Sequence, residues 1–253
     1  MTLKDEEKTI KGILKGIMKS DKYWLENIAN FTYNQKGGSA KGWAFEESSF
    51  RQLEDTAVDI TRAGSMEPNT DYHVNVCNDV IPIQAKAYTM KTPSSKAQLS
   101  TMAQTNYFED GLPKFFNKEN GEFDGKGYSK YLNSFKVPMD ILLSTNPKTM
   151  TSTLYAFHFT ELFKKCVTYK VLTKKRITVQ AIEPKSGKLL DAFMFGPDSS
   201  AKNNCLSRGI WVKNWFLKTY VKPLSSITVN NEDLFGLYLK AKSLQRKKGI
   251  NAF

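Results

Sequence analysis

Two runs of strict alternation, joined by a tight turn, constrain this chain more than any other feature. Over residues 71–76, Tyr72, Val74 and Val76 fall on one side and Asp71, His73 and Asn75 on the other. Over residues 80–88, Ile81, Ile83, Ala85 and Ala87 fall on one side, with Gln84 and Lys86 opposite. A period of two is that of a strand with one face covered, because successive side chains point to opposite sides of the pleat. Asn78-Asp79 between the runs marks a hairpin turn. A chain that makes this hairpin has to build a sheet and cover it.

The covers are legible as helices. Residues 3–20 carry Ile10, Ile13, Leu14, Ile17 and Met18 at helical spacing, with lysines opposite. Asp21 starts a second helix through Tyr23, Trp24, Ile28 and Phe31, and residues 41–57 form a third with Trp43, Phe50, Leu53 and Ala57 on its apolar face. Residues 58–62 read as extended, and the turn-rich 63–69 follows. Beyond the hairpin the pattern predicts a helix over 94–107 after the Thr92-Pro93 break. A strand over 137–144 and a helix over 151–165 after Asn146-Pro147 come next. A strand hairpin, 176–182 and 189–195, is then predicted around Pro184-Lys-Ser-Gly187. Helices over 207–221 and from about Glu232 complete the reading. Residues 108–135, with Phe115, Phe116, Phe123, Tyr128, Tyr131 and Phe135, read as an inserted lobe. The expected architecture is α/β: a helical arm (1–36), a mixed sheet flanked by helices (37–165, with the 108–135 insertion) and a basic α+β extension (166–253).

Charge narrows the partners. The 253 residues include 37 basic and 25 acidic ones, a net charge of +12. Such an excess favours a polyanion, nucleic acid first. It is clustered in Lys164, Lys165, Lys170, Lys174, Lys175 and Arg176, and again in Lys240, Lys242, Arg246, Lys247 and Lys248, with no acid between the first and last member of either cluster. Each such side chain that meets a phosphate releases counterions, so binding is expected to weaken steeply with salt. Three cysteines far apart and two histidines argue against a disulfide framework, a zinc ribbon or a His-rich metal site. No run approaches the length of a membrane span, and the charged N-terminal residues lack a signal core. A reducing, cytoplasmic setting without membrane association is expected. No GxxxxGK[ST] loop occurs, which speaks against ATP hydrolysis.

Four side chains stand out as candidate chemistry. Glu46 lies in the apolar stripe of its helix, three residues after Trp43 and four before Phe50, where a carboxylate is costly unless partnered. Gln84 and Lys86 share a strand face, and Asp71 reaches them if its strand is the hairpin neighbour. Asp71 and the Gln84 amide oxygen are the hard donors that Mg²⁺ or Mn²⁺ accepts. A lysine beside them suits a reaction at a phosphodiester, where it orients water or neutralises developing charge.

Gly42-Trp-Ala-Phe45-Glu46, then Asp71, twelve intervening residues and Ile83-Gln84-Ala85-Lys86 resemble the PD-(D/E)xK nuclease superfamily. The nearest likeness is to its Q-x-K variants among Mrr-type and modification-dependent restriction enzymes. Asp140-Ile-Leu-Leu-Ser-Thr-Asn146 followed by a helix is similar to that family's next strand–helix unit. The resemblance spans roughly residues 40–165. It implies a restriction-endonuclease-like core, with Asp71 and Gln84 on a magnesium ion, Lys86 catalytic and Glu46 supporting. It also implies hydrolysis of DNA phosphodiesters, with a homodimer as the form suited to cutting both strands. Asp79 is an alternative anchor, although it stands only five residues from Gln84. The competing reading is a non-catalytic single-stranded DNA-binding protein, or a transcription or replication accessory factor, in which basic grooves and stacked aromatics do the work.

Overall fold

In a computed structural model the described residues are 1–19, 38–56, 58–64, 70–103, 108–109, 112–113, 117, 119–122, 138–173, 176–197, 207–229, 236, 239 and 243. The segment predicted as a second helix from Asp21, most of the 108–135 lobe and most of the C-terminal helix lie outside them. They form two helices at the N-terminal end, a six-stranded mixed sheet and a five-stranded antiparallel sheet. This is a mixed α/β architecture. Among the described residues no helix is long and apolar enough to cross a membrane.

Helix α1 (Leu3–Ile17) starts at a capping box in which the Asp5 amide donates to Thr2 Oγ1 and the Thr2 amide donates to the Asp5 carboxylate. Its apolar face, Ile10, Leu14 and Ile17, is buried. Helix α2 (Gly38–Glu54) buries Phe45, Phe50 and Leu53. Both helices cover one face of the first sheet, whose order is β1 (Asp59–Arg62), β2 (Tyr72–Val76), β3 (Asp79–Thr89), β7 (Met139–Asn146), β8 (Thr151–Phe157) and β13 (Ser225–Thr228). The predicted hairpin forms, with Tyr72 opposite Ile83 and Val76 opposite Asp79. The turn itself is Cys77-Asn78, one residue earlier than Asn78-Asp79, and Cys77 takes the left-handed region at φ 55°. Strand β3 pairs in parallel with β7, the one parallel contact of this sheet among the described residues.

The second sheet runs β4 (Lys96–Ala103), β12 (Ser207–Lys213), β11 (Leu189–Pro197), β10 (Arg176–Ile182) and β9 (Thr168–Thr173). It draws strands from both sides of residue 165. A short ribbon of β5 (Phe108–Glu109) and β6 (Leu112–Pro113) stands apart. The inner face of the second sheet, with Phe193, Phe195, Ile210 and Val212, packs with Leu142, Tyr155 and Phe157 from the first. The layers are therefore helices, sheet, sheet, with one core on each side of the first sheet.

Three predicted helices are corrected. Residues 94–107 contain β4, because pairing with β12 along its whole length outweighs a weak local helical pattern. Asn146-Pro147 opens a hairpin turn with Met150 at φ 50°, and the alternating Thr151, Thr153, Tyr155 and Phe157 continue as β8. Only Phe159–Leu162 (α3) and a 3₁₀ turn, Phe163–Lys165, are helical in that stretch. Of residues 207–221, the first half is β12 and only Asn214–Tyr220 (α4) is helical. The turn at 184–187 and its flanking strands form as predicted, with Gly187 at φ 66°.

Ile10 is completely buried, so α1 is part of the core. Ile10→Ala is expected to cost about 2–5 kcal/mol, the usual range for truncating a fully buried aliphatic side chain. Urea denaturation followed by circular dichroism checks this; an arm merely resting on the surface leaves the midpoint unchanged.

Candidate functional site

The site lies just before the start of β2, where β3 runs on past it. Strand β2 begins at Tyr72, so the Ala85 amide has no β2 carbonyl opposite it. The Asp71 side chain takes that place: its Oδ2 accepts from Ala85 N at 2.7 Å. The same oxygen accepts from Gln84 Nε2 at 2.5 Å and stands 3.6 Å from Lys86 Nζ. Asp71 N donates to Ile83 O at 2.8 Å, which fixes the residue from the backbone side. The Gln84 and Lys86 side chains and the Ala85 amide thus converge on one oxygen of Asp71. Lys86 and Asp71 keep part of their surface exposed, at 28% and 15%, whereas Gln84 is buried.

Glu46 approaches from α2. Burial raises its pKa, the Asp71 charge raises it further, and Lys86 and Arg62 oppose the shift. Its neighbour Glu47 shows the opposite balance. Burial pushes that carboxyl up, but hydrogen bonds from Arg51 and Arg62 outweigh it and hold the pKa down. Adjacent glutamates on one helix turn are therefore driven apart, one toward holding a proton and one firmly ionised.

Asp140 joins the site, although the sequence marks it only as a residue of a strand. Parallel pairing sets it directly beside Gln84. It is 2% exposed, and neither carboxylate oxygen has a hydrogen-bond partner among the described residues. Burial drives its pKa well above the ordinary carboxylate range; Lys86 counteracts this and Asp71 adds to it. The signal in the sequence is a carboxylate inside the otherwise apolar run Met139-Asp140-Ile-Leu-Leu143.

The residues present suit a hard cation. Asp140 offers two buried oxygens without donors among the described residues, Asp71 a second carboxylate, and Gln84 an amide whose orientation follows from its hydrogen-bond network. Among the described residues no group of three His, Cys, Asp or Glu side chains stands close enough to hold an ion by itself, so the amide oxygen and water complete any such set.

Other predicted residues are placed as follows. Asp79 opens β3, about 16 Å along the strand from Gln84, and does not reach the site. Lys164 is paired with Glu161 at 2.8 Å. Lys165, Lys170 and Arg176 are exposed on or beside the second sheet. Lys174, Lys175, Lys240, Lys242, Arg246, Lys247 and Lys248 lie outside the described residues. The sequence after Asn146 continues as the strand β8, so the strand–helix unit expected there is a β-hairpin. Comparison with protein-family models finds no match, and comparison with curated proteins finds none.

Asp140 makes stability pH-dependent. Its carboxyl ionises at lower pH in the unfolded chain than in the fold, so stability falls as pH rises from the unfolded pKa through the raised folded one. Asp140→Asn is expected to stabilise the metal-free protein at pH 8 and to flatten the loss between pH 5 and pH 8. Denaturant midpoints in EDTA at the two pH values measure both effects.

Proposed function

We propose that the chain is a metal-dependent DNA endonuclease, restriction- or resolvase-like, with its site at Asp71, Gln84, Lys86, Glu46 and Asp140. The observation that carries the reading is the meeting of Asp71, Gln84 and Lys86 on one oxygen, with Asp140 beside them. Supporting it are the order helix α2, antiparallel β1–β3 and a parallel β7, which fits a restriction-endonuclease-like core as far as β7.

Asp71, Asp140 and the Gln84 oxygen would hold Mg²⁺ or Mn²⁺, which when bound supplies a polarised water and positive charge at a phosphoryl oxygen. The protein's own groups do the rest. Lys86, part-exposed and next to Asp71, meets the non-bridging oxygens of the scissile phosphate and neutralises the charge that grows there. Glu46 suits the proton of the attacking water, because a carboxylate with a raised pKa is a better acceptor near neutrality. The net charge of +12 and the exposed Lys165, Lys170 and Arg176 favour retention of a polyanion. Such contacts position the backbone rather than read its sequence.

A second reading draws on the same contact. A carboxylate that accepts a backbone N–H at a strand end also does structural work, and a non-catalytic nucleic-acid-binding protein needs no more than that.

Nicking of supercoiled plasmid separates the two. With millimolar Mg²⁺ or Mn²⁺ the wild type is expected to nick and EDTA to stop it. Lys86→Ala is expected to slow nicking by about 10²-fold or more, while its affinity for the same DNA, measured in EDTA, changes little. A wild type that binds plasmid and never nicks it with either metal overturns the nuclease reading.

A further inference from the structure

The outer face of the second sheet carries a feature that the cleavage chemistry does not use. Lys96 on β4 and Lys213 on β12 are directly opposite each other in the register. Like charges so placed destabilise a sheet pair. Trp211 shares their face, two residues from Lys213, and Met194 on β11 is its cross-strand neighbour. Lys96 Nζ stands 5.0 Å from the centre of the Trp211 ring and 3.6 Å from Met194 Sδ. Gly196, two residues beyond Met194, is the floor between Trp211 and Arg176. A Cβ there would come within 3.3 Å of the Arg176 side chain and 3.7 Å of the indole. Lys170 on β9 belongs to the same row through Thr178, which pairs with both Lys170 and Met194.

Cations and one half-buried aromatic ring therefore lie together on a pleated surface. Burial lowers the Lys96 pKa, and Lys213 and Arg176 lower it further; among the described residues no carboxylate contributes to the shift. The cluster is repulsive within itself, which is the arrangement an anionic ligand relieves.

We propose that this face binds single-stranded nucleic acid, with a base stacked on Trp211 and backbone phosphates held by Lys96, Lys213, Arg176 and Lys170. A single strand is favoured because only unpaired bases offer a ring face to the indole; in a duplex those faces are stacked away. Cations on four strands of one sheet around one aromatic ring suit a backbone that is followed while its bases are held by stacking alone. The inference does not rest on cleavage, since none of these residues belongs to the Asp71 site.

The test is fluorescence anisotropy with labelled oligodeoxythymidine of about 12 nucleotides, against a duplex of equal length, all in EDTA so that nothing is cut. The wild type is expected to bind the single strand more tightly than the duplex. Trp211→Leu is expected to weaken single-strand binding about tenfold, and Trp211→Phe, which keeps a ring, to retain most of it. Lys96→Gln combined with Lys213→Gln is expected to reduce the slope of log K against log salt by about 1.4, or about 0.7 for each phosphate that is no longer neutralised. Unchanged affinity in Trp211→Leu overturns the proposal. So does tighter binding of the duplex, or of phosphatidylserine vesicles, than of the single strand, because either would assign the face to a different ligand.

Discussion

The Asp71 carboxylate standing in for a missing strand is the contact on which the site depends. Strand β3 is eleven residues long and β2 five, so β3 projects beyond its partner with an amide to satisfy. A water molecule could serve that amide, but a carboxylate held from its own backbone gives a fixed negative charge at the start of β2. Once that charge is in place, the alternation of β3 decides what surrounds it. Gln84 and Lys86 point to the same side, and the parallel register with β7 adds Asp140. The raised affinity of Glu46 and Asp140 for protons follows from burial near that charge. A strand that stops short of its neighbour has thus set up an electrostatic centre.

What the sequence made legible was short in range. Asp71, Gln84 and Lys86 could be aligned because a period of two and a two-residue turn fix their relative places within twenty residues. Glu46 could be singled out because a carboxylate interrupts an apolar helical stripe. Asp140 could not be joined to them, since nothing within its own strand reveals that β7 runs parallel to β3. That pairing is set by the crossover and by the core that both strands share.

The misread helices have a common cause. Ile210, Trp211, Trp215 and Phe216 are spaced as on a helix, and in the fold the boundary between strand and helix falls between the two tryptophans. Trp211 thereby alternates with the buried Ile210 and Val212 and faces outward, while Trp215 packs against the core and donates to Asp191 O at 2.7 Å. Buried Asn214 ties the start of that helix to the Thr92–Ser95 loop through Thr92 O and Ser95 O. Partners more than a hundred residues apart settle the local conformation, and a window of fifteen residues cannot contain them.

The pairing of β4 with β12, and of β8 with β13, has a consequence for how the chain is made. During translation β4 leaves the ribosome about a hundred residues before the strand that will hydrogen-bond to it, and β8 precedes its partner β13 by about seventy. Neither sheet closes until residues 207–228 have emerged. Through that interval the nascent chain displays open ladder edges and the apolar inner face of the second sheet, so folding is slow and non-local in character. Unpaired edges and apolar surface left open for that long are what make a nascent chain prone to aggregation.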